Sequence, residues 1–201
     1  MNEVIQTPNR RNFLGTVTAV TLSATALALL DGNEAMAAKA MKDKMKGKDS
    51  MMASDVGILN VALGLEHEAI NAYTLGAQSG LLDKGVLDVA VLFQSHHKGH
   101  RDALIATINK MGGKAVAEKT LAQYAADLNA GSIKNAGDIL QLARRLELGA
   151  VNAYLGVIPS LHDKELGKVA ARLAADETMH WTLLNSALGG AAPAGPLTFG
   201  A

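Results

Sequence analysis

Four stretches of this chain place apolar residues at the three, four and seven spacing of a one-sided helix. The first carries Leu59, Ala62/Leu63, Glu66, Ile70 and Tyr73, with Ser54-Asp55 as its expected N-cap pair and Gly76 and Gly80 closing it. The second opens at Asp83, stops at Gly112-Gly113 and carries Val86, Val89/Ala90, Phe93, His97, His100, Leu104 and Ile108. A third starts after Gly137-Asp138 and ends at Pro159, with Leu140, Ala143, Glu147, Val151 and Tyr154 on its stripe. The fourth runs from Asp163 to Gly189-Gly190 and carries Leu166, Val169/Ala170, Leu173, Glu177, His180 and Leu184. Short turns join the first to the second and the third to the fourth, which predicts two antiparallel hairpins. The long connection between the pairs, roughly residues 114–135, is expected to hold a short helix at Leu121–Leu128. With Pro193 and Pro196, the tail 191–201 is not expected to be a fifth helix.

The two pairs repeat one another. Ile58–Tyr73 and Ile139–Tyr154 share nine identities in sixteen at an offset of 81, and Leu81–Leu104 matches Leu161–Leu184 at an offset of 80. Each copy therefore has a Glu on its first helix, Glu66 or Glu147, and a His late on its second, His100 or His180. In the second copy that His closes a Glu-x-x-His, Glu177 to His180. Residues three apart face the same side of a helix, about 4.5 Å apart along the axis, so such a pair can serve one metal or two adjacent ones.

Polar groups on apolar stripes demand an explanation. An inward carboxylate has to protonate, pair with a cation or bind a metal. No Lys or Arg lies on the inward stripes of the second and fourth segments; the facing polar groups are His97, His100, Glu177 and His180. The competing explanation is a buried hydrogen-bond network, which a single Glu-x-x-His would favour; recurrence in both halves favours metal. His67, Glu68 and His96 fall off the stripes and are expected at the surface, as is His162 in the turn between the third and fourth segments. Tyr73 and Tyr154, seven residues after their respective Glu, are expected in the core as hydrogen-bond donors to the carboxylates, with an electron-relay role as the alternative.

With these residues the chain resembles the ferritin-like superfamily of four-helix carboxylate proteins, which includes rubrerythrins and bacterioferritins. The likeness covers roughly residues 54–190 and is closest to exported bacterial proteins with a ferritin-like domain. It implies an all-α bundle with one long crossover and a metal site made of Glu66, His97, His100, Glu147, Glu177 and His180. The family takes a Glu-x-x-His from each of two helices, whereas this chain has His97 where that Glu is expected. The set is then three Glu and three His, with one bridging carboxylate fewer. Iron, as a di-metal or mononuclear centre, is the implied cofactor, and ferroxidase- or peroxidase-like redox handling the implied activity. Copper or zinc in a non-catalytic binder is the alternative, and a metal-free scaffold a third. Without a fifth helix, a large storage cage is not expected; a homodimer is compatible with the sequence.

Composition narrows the choice. Aromatics are only 3% while hydrophobic residues make up 49%, as suits closely packed helices in one domain. Lys+Arg and Asp+Glu are 19 each, so charge gives no argument for nucleic acid. There is no Cys, which excludes disulfides, Cys-ligated zinc and iron–sulfur clusters. Residues 1–37 look like a twin-arginine export signal: Asn9-Arg10-Arg11-Asn12-Phe13-Leu14, an apolar run from Val17 to Leu30, and a small-residue site at Ala35-Met36-Ala37. The apolar run is shorter than the ~20 residues of a membrane-spanning helix. Removing residues 1–37 leaves a net charge of +1, and the signal makes the twin-arginine machinery a partner and the periplasm the expected location. Residues 38–54 then read as a tether; Met41, Met45, Met51 and Met52 offer thioethers for Cu(I), but their irregular spacing suits a solvated linker better.

Replacing both Arg10 and Arg11 with Lys is expected to leave precursor in the cytoplasm, and mature protein is expected to start at or near Ala38. Cell fractionation with N-terminal sequencing checks both; efficient export of the double variant contradicts the signal.

Overall fold

Four of the helices begin where a side chain satisfies an unpaired N–H group. The structure, a computed structural model, describes residues 34–197 and 199, with side chains from residue 46 onward. The expected export signal lies, up to residue 33, outside the described residues. The chain divides into two units, Met1–Lys48 and Asp49–Ala201; of the first, only the helical residues 34–48 are described. The chain forms four long helices, α1 (Glu34–Gln78), α2 (Lys84–Lys110), α4 (Ala136–Val157) and α5 (Lys164–Ala187), with a short α3 (Leu121–Asp127) in the connection between α2 and α4. No described helix is long and apolar enough to cross a membrane.

The caps explain most boundaries. Asp83 accepts from the Val86 N–H and opens α2, which closes where Gly112 takes φ +74. Asn135 and Asp138 form a reciprocal capping box, so α4 begins slightly before the expected Gly137-Asp138. Asp163 caps α5, and Gly189 at φ +76 follows its end. Thr120 and Gln123 form a second capping box on α3.

Ser54-Asp55 is not an N-cap, which corrects the expected start of α1. The helix already runs from Glu34 through the expected tether, whose Ala, Met and Lys are good helix formers. Most side chains of residues 49–54 are nonetheless exposed, and burial starts at Asp55. Asp55 is 2% exposed and caps a different helix: its carboxylate accepts from the N–H groups of His162 and Asp163 and from His162 Nδ1, each at 3.0 Å. Burial pushes its pKa up, but these donors outweigh it and hold the carboxyl below its usual value.

Side-chain pairings give the direction of every long helix. Glu66 meets His97 while Ile70 and Thr74 meet Gln94, so α1 and α2 are antiparallel. Tyr73 meets Glu147 and Tyr154 meets Glu66, so α1 and α4 are antiparallel too. His100 meets Asp176 while His96 meets His180, and Arg144 meets Asn185 while Glu147 faces His180; α5 thus opposes both α2 and α4. The result is an up-down-down-up bundle made of the two expected antiparallel hairpins, with α2 and α4 parallel and joined by the long crossover. Asn60 pins that crossover to α1 by donating to the Lys114 carbonyl and accepting from Val116 N–H, and Asn71 adds a bond to Glu118.

Two apolar layers bracket one polar layer. Leu63, Leu104, Ile108, Tyr154, Leu166 and Leu173 lie in the first, and Tyr73, Phe93, Ala143 and Leu184 in the second. Between them lie Glu66, His97, Glu147, Glu177 and His180, all at most 2% exposed. Where the stripes left a choice, Ala170 is buried while Val89 and Val169 are exposed. Beyond Gly189 the described residues contain no helix.

Asp55→Ala removes an acceptor from two backbone N–H groups at the start of α5, and is expected to cost about 1–3 kcal/mol. Urea unfolding measures it; Asp55→Asn, which keeps an acceptor oxygen, is expected to lose less. A neutral Ala variant contradicts the cap.

Candidate metal centre

Three carboxylates and three imidazoles converge in the polar layer. α1 supplies Glu66, α4 Glu147, α2 His97 and His100, and α5 Glu177 and His180. Their donor atoms form two overlapping groups, Glu66, His97, His100 and Glu177, and His97, Glu147, Glu177 and His180, with all donors of a group within 4.8 Å of one another. All six residues singled out in the sequence are therefore brought together. His97 and Glu177 belong to both groups, the place a shared ligand must occupy.

His97 spans the centre. Its Nδ1 lies 2.8 Å from Glu66 Oε2 and its Nε2 3.2 Å from Glu147 Oε1, with Glu177 Oε1 at 3.6 Å. His100 Nδ1 is 3.1 Å from Glu177 Oε1, and His180 Nδ1 is 2.9 Å from Glu177 Oε2. Phe93 stacks on the His180 ring at a centroid distance of 4.1 Å. The tyrosines donate crosswise, each to the carboxylate of the other repeat: Tyr73 to Glu147 at 2.5 Å, and Tyr154 to Glu66. Burial and the adjacent carboxylates push both phenols well above their ordinary pKa, so they remain O–H donors.

Without metal the layer neutralises itself. Burial opposes charge on His97, but hydrogen bonds to Glu147 and Glu66 lift its pKa to about 10. Burial likewise opposes charge on His100, and Glu177 and Glu66 lift it to about 10. Glu147 and Glu177 raise His180 against the same desolvation. Burial raises Glu66, yet bonds from His100 and His97 bring it down to about 2; Glu147 is lowered for the same reason by His180 and His97. The cation that the stripes seemed to lack is His97 itself. One atom is poorly satisfied: Glu147 Oε2 has no well-formed hydrogen bond among the described residues, its nearest partner being His180 Nδ1 at 3.4 Å. Such a poorly satisfied oxygen inside a cluster of nitrogen and oxygen donors fits a bound cation.

One residue lies elsewhere than expected, and three others make contacts that the sequence did not single out. His67 is buried, at 4% exposure, because α1 is covered on more than the one stripe. His96 is exposed, as expected, yet its Nδ1 lies 2.9 Å from His180 Nε2. His162 is half-exposed but tied to Asp55. Asp176, not singled out in the sequence, lies 3.2 Å from His100 Nε2. The repeat itself could have signalled it, since an offset of 80 pairs position 176 with position 96.

A family model described as "ferritin-like domain" matches residues 54–190. The chain belongs to the ferritin-like domain family. Among solved structures it is similar to a conserved hypothetical protein, rv2844, from Mycobacterium tuberculosis, with 22% identity and a TM-score of 0.58 over 73% of this chain and 99% of that one. At that identity the likeness is one of fold. No curated protein matches. The ferritin-like domain here thus holds a buried His/Glu cluster compatible with metal binding. A cleft between α1 and α4, lined by Ala69, Gly149, Ala150 and Ala153, has Glu66, His97 and Glu147 at its floor, where they remain almost fully covered.

The metal-free ferritin-like domain is expected to be most stable between about pH 4.5 and pH 6.5. The folded-state pKa values of His97 and His100 are raised from 6.5 to about 10, so their contribution is complete below pH 6.5 and lost as pH rises towards 10. Glu66 is lowered from 4.5 to about 2, so its contribution is complete above pH 4.5 and lost as pH falls towards 2. Thermal unfolding of chelated protein across this range checks the profile; a Tm that rises from pH 7 to 9 contradicts it.

Proposed function

We propose that this is an exported metalloprotein that holds iron between Glu66, His97, His100, Glu147, Glu177 and His180 and uses it in redox handling of iron, oxygen or peroxide. The observation that carries the proposal is the pair of four-donor groups sharing His97 and Glu177 in a buried layer. Bound iron would supply one-electron exchange. The chain's own residues supply the rest: the carboxylates offset cationic charge, Tyr73 and Tyr154 fix their orientation, and the cleft between α1 and α4 admits small species. Phe93 and the flanking apolar layers keep bulk water from the imidazoles. Export through the twin-arginine route moves folded protein, which allows metal loading before transport.

A second reading has its own support. Three imidazoles and three carboxylates carry less negative charge than a four-carboxylate set, and imidazole donors suit zinc and copper as well as iron. On that basis the protein is a non-catalytic periplasmic binder. Oxygen- or peroxide-dependent turnover of the iron-loaded protein separates the two.

Mature protein from its own host is expected to contain iron and to lose thermal stability on chelation, because metal bound to the native state adds to folding free energy. Glu147→Gln and Glu147→Ala are expected to lose at least one metal equivalent in elemental analysis, whereas Glu68→Ala keeps the wild-type content. Equal content in Glu147→Gln and wild type contradicts the ligand assignment, and zinc or copper in place of iron favours the second reading.

A further inference from the structure

The internal repeat superimposes the two halves of the centre residue by residue. An offset of 81 pairs Glu66 with Glu147 and Tyr73 with Tyr154; an offset of 80 pairs His96 with Asp176, His97 with Glu177, and His100 with His180. The contacts follow the same symmetry. Each inward Nδ1 faces the Glu of its own half, His100 Nδ1 at 3.7 Å from Glu66 Oε1 and His180 Nδ1 at 3.4 Å from Glu147 Oε2. Glu177 breaks the symmetry, since it meets His100 from the opposite helix and His180 from the same one. Each outward Nε2 meets a residue on the opposite helix: His100 Nε2 meets Asp176 Oδ2 at 3.2 Å, and His180 Nε2 meets His96 Nδ1 at 2.9 Å. In both cases the partner atom is the one bonded to Cγ. Positions 96 and 176 thus do the same geometric work with different chemistry.

That difference has nowhere to cancel. His97 and Glu177 are common to both donor groups. The residues private to each half, one Glu, one His and the Tyr that bonds the Glu, are of the same types. Besides the Phe93 ring stacked on His180, which Leu173 replaces in the other half, what distinguishes the halves chemically is the outer partner, a carboxylate behind His100 and an imidazole behind His180. A carboxylate accepting from a ligand imidazole makes the ring a better donor and adds negative charge near the cation; a neutral imidazole nitrogen accepts the same proton but adds no charge.

We infer that the two half-sites are unequal by construction: the half built on Glu66 and His100, backed by Asp176, takes its ion first, and His96 keeps the half built on Glu147 and His180 weak and exchangeable. The inference rests on the metal binding proposed above. His96 and Asp176 act as positioning residues, since they work through His180 and His100. The Asp176 side chain is 43% exposed, so solvent screens part of its charge and the effect falls at the low end, about tenfold, of that seen for groups behind metal ligands.

Titration of the chelated mature protein with Co(II) at fixed pH, followed by calorimetry and visible absorption, tests this. Wild type is expected to show a tight step and a weaker one. Asp176→Asn weakens the first step about tenfold and spares the second. His96→Asp, which restores the symmetry, tightens the second step about tenfold, or brings it into view where wild type shows only one. His96→Asn keeps a neutral acceptor oxygen in the same place and stays near wild type. A merely structural role for His96 gives no gain with Asp. Two equal steps in wild type, or two unequal steps that neither Asp176→Asn nor His96→Asp moves, overturn the inference alone; absence of Co(II) binding to wild type overturns the metal centre and the inference with it.

Discussion

Burial of Glu66, Glu147 and Glu177, each at most 2% exposed, sets the terms for the rest of the bundle. A carboxylate withdrawn from water without a partner loses its hydration and gains nothing in return. The fold answers with three imidazoles in the same layer, with two phenols that reach into it from the apolar layers on either side, and with those layers excluding competing water. Compensation is nearly complete even before a metal is considered, which explains how the chain can fold ahead of loading. It leaves one oxygen, Glu147 Oε2, without a well-formed hydrogen bond. The same imidazoles that neutralise the metal-free layer must give up protons to bind a cation, so protons and metal compete for one set of nitrogens.

Duplication explains why the layer is shared rather than divided. The tyrosine of each repeat bonds the carboxylate of the other, so the Glu on the first helix of each pair draws a hydrogen bond from the other pair. His97 and Glu177 sit on the approximate twofold and serve both halves. Two copies of a hairpin that each carry an unsatisfied polar group gain most by docking face to face. The long crossover permits that docking, and Asn60 and Asn71 hold it against α1.

Much of this was legible in the sequence because it follows helical period. Glu66, Glu147, Glu177 and the three histidines lie on the apolar stripes, and a stripe buries whatever it carries. The start of α1 was not legible, because Asp55 has the local signature of an N-cap while its carboxylate serves N–H groups at His162 and Asp163, more than 100 residues away. His67 was misplaced for a related reason: one stripe underestimates the buried arc of a helix that packs against α2, α4 and the crossover at once. His96 was rightly placed at the surface, but exposure of a residue says nothing about which buried atom its inner edge touches. The family likeness implied which of these residues are candidate ligands, and only the structure showed that the imidazole of His97 reaches carboxylates of both repeats.

The most direct test of the central claim is anomalous diffraction at the iron edge from crystals of mature protein isolated from its own host. The account predicts an anomalous peak within the buried layer, bounded by Glu66, Glu147, Glu177 and the imidazoles of His100 and His180. A well-ordered layer with no peak, its carboxylates bonded only to imidazolium and tyrosine, would contradict it and leave the cluster as a hydrogen-bonded core.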